Sequence, residues 1–302
     1  MKAGRSTLFE RIGFTVLVAL VAALAPVGTA ANAQPAAPTA VCGTALSDDE
    51  LDTIARLSQT SDLTGDSLAR LETAVARLHE ITEILVAHHD RRGLFGVGLD
   101  TVEQAAVMPL QRDPAAFQDR EYAHRISLEL LSRYLDNLHA EFTGGPLAPQ
   151  WARYFDATRR CELSGARVAM TGYAAHLVVD LSESVAAIGS EPRNAPDYFE
   201  IVAAIAETGD LIVDRTRDVY AADLGPLWRF YFFGEGLDLL LGRGVATRPL
   251  LVLADLGANV VIFGNGLALR DPALHDTTAA EMWALFDAAD TAFAVLAQIH
   301  AL

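Results

Sequence analysis

Residues 165–188 read GARVAMTGYAAHLVVDLSESVAAI. Apolar and small residues dominate nearly every face of this stretch. It is too long for one strand and shows no period-two alternation, so it predicts a helix buried on most sides. Residues 247–268 have the same character. Two such helices predict a centre that amphipathic helices must surround.

Those surrounding helices are legible on both sides. Ser47-Asp48-Asp49-Glu50 is a capping box that opens a short helix. Ser67 to about His89 carries Leu68, Leu71, Val75, Leu78, Ile81 and Leu85 at helical spacing. A shorter helix over 94–107 is expected to stop at Pro109. A long one runs from Asp119 to Phe142, before Gly144-Gly145-Pro146. Pro149 suits a first helical position, with a helix to about Leu163. Further helices are expected from Pro196 to Tyr220, from Pro226 to Leu241, over 247–269 and from Thr277 onward. There is no hairpin signal and no fixed repeat. The fold class is therefore all-α, a single compact multi-helix bundle with buried central helices.

The N-terminus gives an address. Lys2, Arg5 and Arg11 precede the apolar run Ile12–Leu24, and Ala31-Asn32-Ala33 offers small residues for cleavage. This pattern predicts a signal peptide over 1–33, a Pro/Ala/Thr tether over 34–46 and a helical domain over 47–302. A secreted or extracytoplasmic protein with no stable membrane anchor after cleavage is expected. Cleavage removes Lys2, Arg5, Arg11 and Glu10, taking the net charge from −16 to −18. Such a chain repels phosphate backbones, so nucleic acid is not an expected partner. Cys42 and Cys161 are the two cysteines. In an exported protein an even pair predicts one disulfide, against the alternative of two buried thiols.

The 165–188 helix also carries the functional signal. Tyr173, His176, Asp180, Glu183 and Ser184 fall within one arc at ~100° per residue. His176 and Asp180, one turn apart, could bind a divalent metal together, zinc being favoured by the N/O donor set. They could equally be a base with its orienter, or a hydrogen-bonded pair that fixes packing. Glu121 and His124, three apart, and Asp119 could complete a metal shell, although Asp119 also suits a helix cap. His88-His89-Asp90 can send at most one imidazole to a shared site. The pairs Asp255/Asn259 and Asp210/Asp214 suit a satisfied core or a solvated face. His79, His139, His275 and His300 belong to no constellation. No phosphate loop, nucleophile elbow or HExxH motif occurs.

Several segments resemble a known family. Asp90-Arg91-Arg92-Gly93-Leu94-Phe95, Phe117-x-Asp119, Tyr134-Leu135, Trp151 and the run Ala175-His176-Leu177-Val178-Val179-Asp180-Leu181 are similar, in order and spacing, to a domain of unknown function common in actinobacteria. The similarity spans roughly residues 85–290. The hallmark of that family is Asn-Ala-His-Ile-x-x-Asp-Leu-Pro. Here Ala174 replaces the Asn and Ser182 the Pro, while His176 and Asp180 remain. The His-x-x-x-Asp helix is also similar to one in exported all-helical zinc phospholipases C, without their N-terminal Trp ligand or their many histidines.

Two functional readings emerge. One is a metal-dependent hydrolase acting on a lipid-like or phosphoester substrate, with catalytic His176 and Asp180 and a pocket lined by apolar helices such as Trp228–Phe233. The other is a non-catalytic helical module that binds an apolar small molecule.

Overall fold

The computed structural model describes residues 39–224 and 247–298, with side chains of the last segment described from residue 257. The expected signal peptide, most of the tether, the Pro226–Leu241 helix with Trp228–Phe233, His300 and the side chain of Asp255 lie outside the described residues. Within them every regular element is helical and there is no strand.

The helices are α1 (Asp48–Ser58), α2 (Ser67–Ala87), α3 (Gly93–Val102), α4 (Met108–Arg112), α5 (Arg120–Thr143), α6 (Pro149–Thr158), α7 (Gly165–Ala174), α8 (Leu181–Ala187), α9 (Ala195–Glu207), α10 (Gly209–Tyr220), α11 (Thr247–Leu269) and α12 (His275–Gln298). Their ends follow local chemistry. Ser47 and Glu50 form the expected capping box on α1, and Asp119 accepts from the Tyr122 N–H at the start of α5. Gly144 closes α5 in the left-handed region at φ 72°.

Four boundaries differ from expectation. Pro109 does not stop its helix. A π turn over Glu103–Val107 links α3 to α4, and the Met108 N–H reaches back to Glu103 O. That wider register absorbs the hydrogen bond that proline cannot donate. The helix after Pro149 ends at Thr158. The expected 196–220 helix breaks between Thr208 and Gly209 into α9 and α10. The decisive stretch, 165–188, is α7 and α8 joined by a second π turn, Ala175–Asp180.

α7 through α8 is central, as its composition requires. Val168, Ala169, Ala175, Val179 and Val185 are fully buried. α3 and α6 pack on α7, α5 and α11 pack on α8, and α12 lies on α7 and the π turn. Over its described side chains, residues 257–269, α11 is less enclosed. Ile262 and Phe263 face inward while Val260 and Val261 are 60% and 52% exposed. Close approach of α11 to α8 depends on Gly266, where a Cβ would overlap the Val185 side chain. No described helix is long and apolar enough to cross a membrane.

Cys42 and Cys161 form the expected disulfide, with Cα atoms 5.6 Å apart. It ties the segment before α1 to the loop after α6.

Candidate functional site

Asp90–Phe95 is a buried junction. Asp90 and Arg92 have no exposure, and the Arg92 guanidinium donates to both Asp90 oxygens at 2.9 and 2.6 Å. The Arg92 guanidinium also lies 4.2 Å from the centroid of the Phe142 ring. The Val41 N–H donates to Asp90 Oδ2 at 3.2 Å, and Arg91 donates to Arg160 O and Leu163 O. Tyr220 donates to Asp90 O, and Tyr154 donates to Arg92 O. Beyond the Asp90–Arg92 pair itself, these bonds tie the run to separate parts of the chain. The motif is thus a clasp around which the helices assemble, since a buried ion pair persists only when its remaining donors and acceptors are satisfied.

Phe95, which follows the clasp, is the hub of an aromatic box. Its ring centroid lies 4.9 Å from Tyr134, 5.3 Å from Trp151, 5.2 Å from Tyr173 and 5.0 Å from His176. Glycines on α3 make room for the surrounding phenols. A Cβ on Gly93 would overlap the Tyr220 hydroxyl, and one on Gly98 would overlap the Tyr173 hydroxyl.

His176 and Asp180 both sit in the π turn at this box, yet no hydrogen bond joins them among the described residues. Asp180 is 1% exposed. It accepts from Gln150 Nε2 and from the Trp151 indole N–H of α6, each at 2.7 Å. Burial pushes its carboxyl up to about 7, against the opposing pull of those two bonds. Burial alone pushes His176 down to about 3, so its imidazole is neutral across the physiological range. Its Nδ1 is buried without a hydrogen-bond partner, as are the Tyr173 and Thr216 hydroxyls. Those two hydroxyls are neighbours across α7 and α10.

The remaining residues of the expected stripe make no hydrogen bond to His176 or Asp180. Glu183 pairs with Arg133 of α5 at 2.6 Å, and Ser184 is buried without a partner. An arc calculated at ~100° per residue assumes an unbroken α-helix, and the π turn inserts a residue that rotates the face beyond it.

Nor does the structure gather the other expected ligands around His176. Glu121 accepts from Ser67 Oγ at 2.6 Å, and His124 lies 3.4 Å from that hydroxyl and 3.1 Å from Gln111 O. Asp119 caps α5. Glu121 and His124 serve the junction of α5 with α2 and α4. His88 contacts Thr44 and Glu50, while Asp214 pairs with Arg217 and Asn259 accepts from Tyr198.

Among the described residues, the ligating atoms of one set of three His/Cys/Asp/Glu side chains fall within 4.8 Å of one another: His79, Glu83 and Asp100. The sequence held half of this signal, because His79 and Glu83 share a face of α2 at i,i+4. Asp100 comes from α3, and only packing brings it alongside.

Fold and site together define an all-helical, disulfide-tied bundle with buried polar residues Glu103, His176 and Asp180 in its two π turns. Comparison with curated proteins and with solved structures yields no match. Residues 71–238, more than half of the chain, match the model of a family of unknown function, DUF5995, and the protein belongs to that family. The matched region spans both π turns and the Asp90–Phe95 clasp.

Proposed function

We propose that this protein is an exported binding module that holds a small, largely apolar molecule against the Phe95 aromatic box, with His176 as its hydrogen-bonding anchor. The observation that carries the reading is the neutral, buried His176 whose Nδ1 has no partner. Buried polar atoms are normally paired, and an orphan beside the Phe95 ring, the hub of the aromatic box, suits a ligand that supplies one polar group and an apolar body. The disulfide and the N-terminal pattern support an extracytoplasmic address.

A metal-dependent hydrolase at His176 and Asp180 has less support. Both Asp180 oxygens are already engaged by donors of α6 and, among the described residues, no hydrogen bond links the carboxylate to His176.

The test uses p-cresol and toluene as probes, since they differ by the hydroxyl that His176 would bind. Thermal unfolding is followed against probe concentration for the wild type and His176→Leu. The reading expects saturable stabilisation by p-cresol that is weakened at least tenfold in the variant, with toluene equal in both. No saturable effect of either probe on the wild type would overturn it.

A further inference from the structure

We propose that His79, Glu83 and Asp100 form a binding site for a divalent transition-metal ion, with Glu103 at its buried edge. This site stands apart from His176 and does not depend on the binding reading above.

His79 Nδ1 lies 2.9 Å from Asp100 Oδ2, and Glu83 completes the group within 4.8 Å. Four donors each ~2.1 Å from a tetrahedral ion lie roughly 3.4 Å apart, so the His79–Asp100 pair would open slightly while Glu83 draws in. The side chains that would move are free to do so: His79 is 53% exposed and Glu83 50%. Asp100, at 10% exposure, is the fixed member. Gln104 donates to its Oδ1 at 3.3 Å, which leaves Oδ2 toward His79. Outer-shell bonds of this kind orient a metal-binding carboxylate.

Glu103 supplies an independent sign of a missing partner. It is 6% exposed, and its Oε2 is buried without a hydrogen-bond donor. It comes three residues after Asp100 on a continuous helix, so the two share a face, and the Asp100 carboxylate is near enough for its charge to act on Glu103. A His79–Asp100 ion pair explains one of these contacts, and the Glu83–Arg215 contact at 3.3 Å explains another. Neither gives Glu103 a counter-charge. A cation between the two carboxylates would do so. Glu103 also begins the first π turn, a distortion that often accompanies a functional site. One imidazole with carboxylates is a donor set for zinc or manganese rather than for an all-oxygen cation such as calcium.

Calorimetric titration of the purified, tag-free protein with zinc chloride and with manganese chloride tests this. The expected result is one ion per chain for at least one of the two metals, with affinity reduced at least tenfold by His79→Ala and by Asp100→Asn. Glu103→Gln is expected to weaken it as well. His275→Ala, at an exposed His–Asp pair elsewhere, should leave the titration unchanged. His79→Ala and Glu83→Gln alter exposed side chains, so they remain informative if Asp100→Asn fails to fold, as checked by circular dichroism. Absence of stoichiometric uptake of either ion, or uptake indifferent to His79→Ala and Glu83→Gln, would overturn the proposal.

Discussion

Replacing Asp180 by Asn removes a buried titrating group while keeping its size, and the structure fixes both the sign and the scale of the effect on stability. The Asp180 carboxyl titrates at about 7 in the folded protein against 3.8 as the ordinary value. It holds its proton more tightly folded than unfolded, so its contribution is most favourable at low pH. That contribution is lost as pH rises from about 4 to about 7. Roughly three pH units at ~1.4 kcal/mol each give a loss of about 4 kcal/mol between pH 4 and pH 8. Gln150 and Trp151 donate to different oxygens of Asp180, so the introduced carboxamide turns its NH2 toward one of these donors. The variant therefore carries a pH-independent cost of about 1–3 kcal/mol. The variant should be less stable by about 1–3 kcal/mol at pH 4, and the order should reverse by pH 8, where the variant is more stable by about 1–3 kcal/mol. Glu103, raised to about 8 by burial, and His176, lowered to about 3, titrate in both proteins and cancel in the difference. Urea unfolding monitored by circular dichroism at pH 4, 5, 6, 7 and 8 measures it. Parallel stability curves for the two proteins would refute the reasoning, since they would mean that Asp180 is ionised as readily in the fold as in water.

Two further expectations concern the scaffold. Gly98→Ala sets a Cβ into the Tyr173 hydroxyl and 2.9 Å from Ile212 Cγ2. Overpacking of about 2 kcal/mol should lower the melting temperature by about 6 °C, and adding Tyr173→Phe should recover part of the loss in differential scanning calorimetry. Replacing Cys42 and Cys161 together by Ala opens a loop spanning 119 residues. The chain-entropy cost is about 5 kcal/mol, measured as a fall in the urea midpoint that reduction of the wild type should reproduce.

Local chemistry made most of the fold readable before packing was known. Capping by Ser47 and Asp119, termination at Gly144 and the first-turn Pro149 act over a few residues, so they are written in the sequence. The buried character of 165–188 was equally legible, because an apolar circumference has few other stable places. The π turns were not. Their register depends on what packs against the helix, and Pro109 passes through its helix because one of them lies just upstream.

By itself the sequence determined an all-helical chain, a cysteine pair to be joined and a helix whose His176 and Asp180 would be buried. Tertiary structure decided what those two residues meet. Asp180 turned to the Gln150 and Trp151 donors of α6, and His176 turned to the ring of Phe95. It also brought Asp100 of α3 alongside His79 and Glu83 of α2, a grouping that spacing along one helix could not disclose. The physical reason is the same in each case. Helical periodicity specifies which side chains share a face, whereas the partner that a face receives depends on the docking of another helix, which buries area without regard to sequence distance.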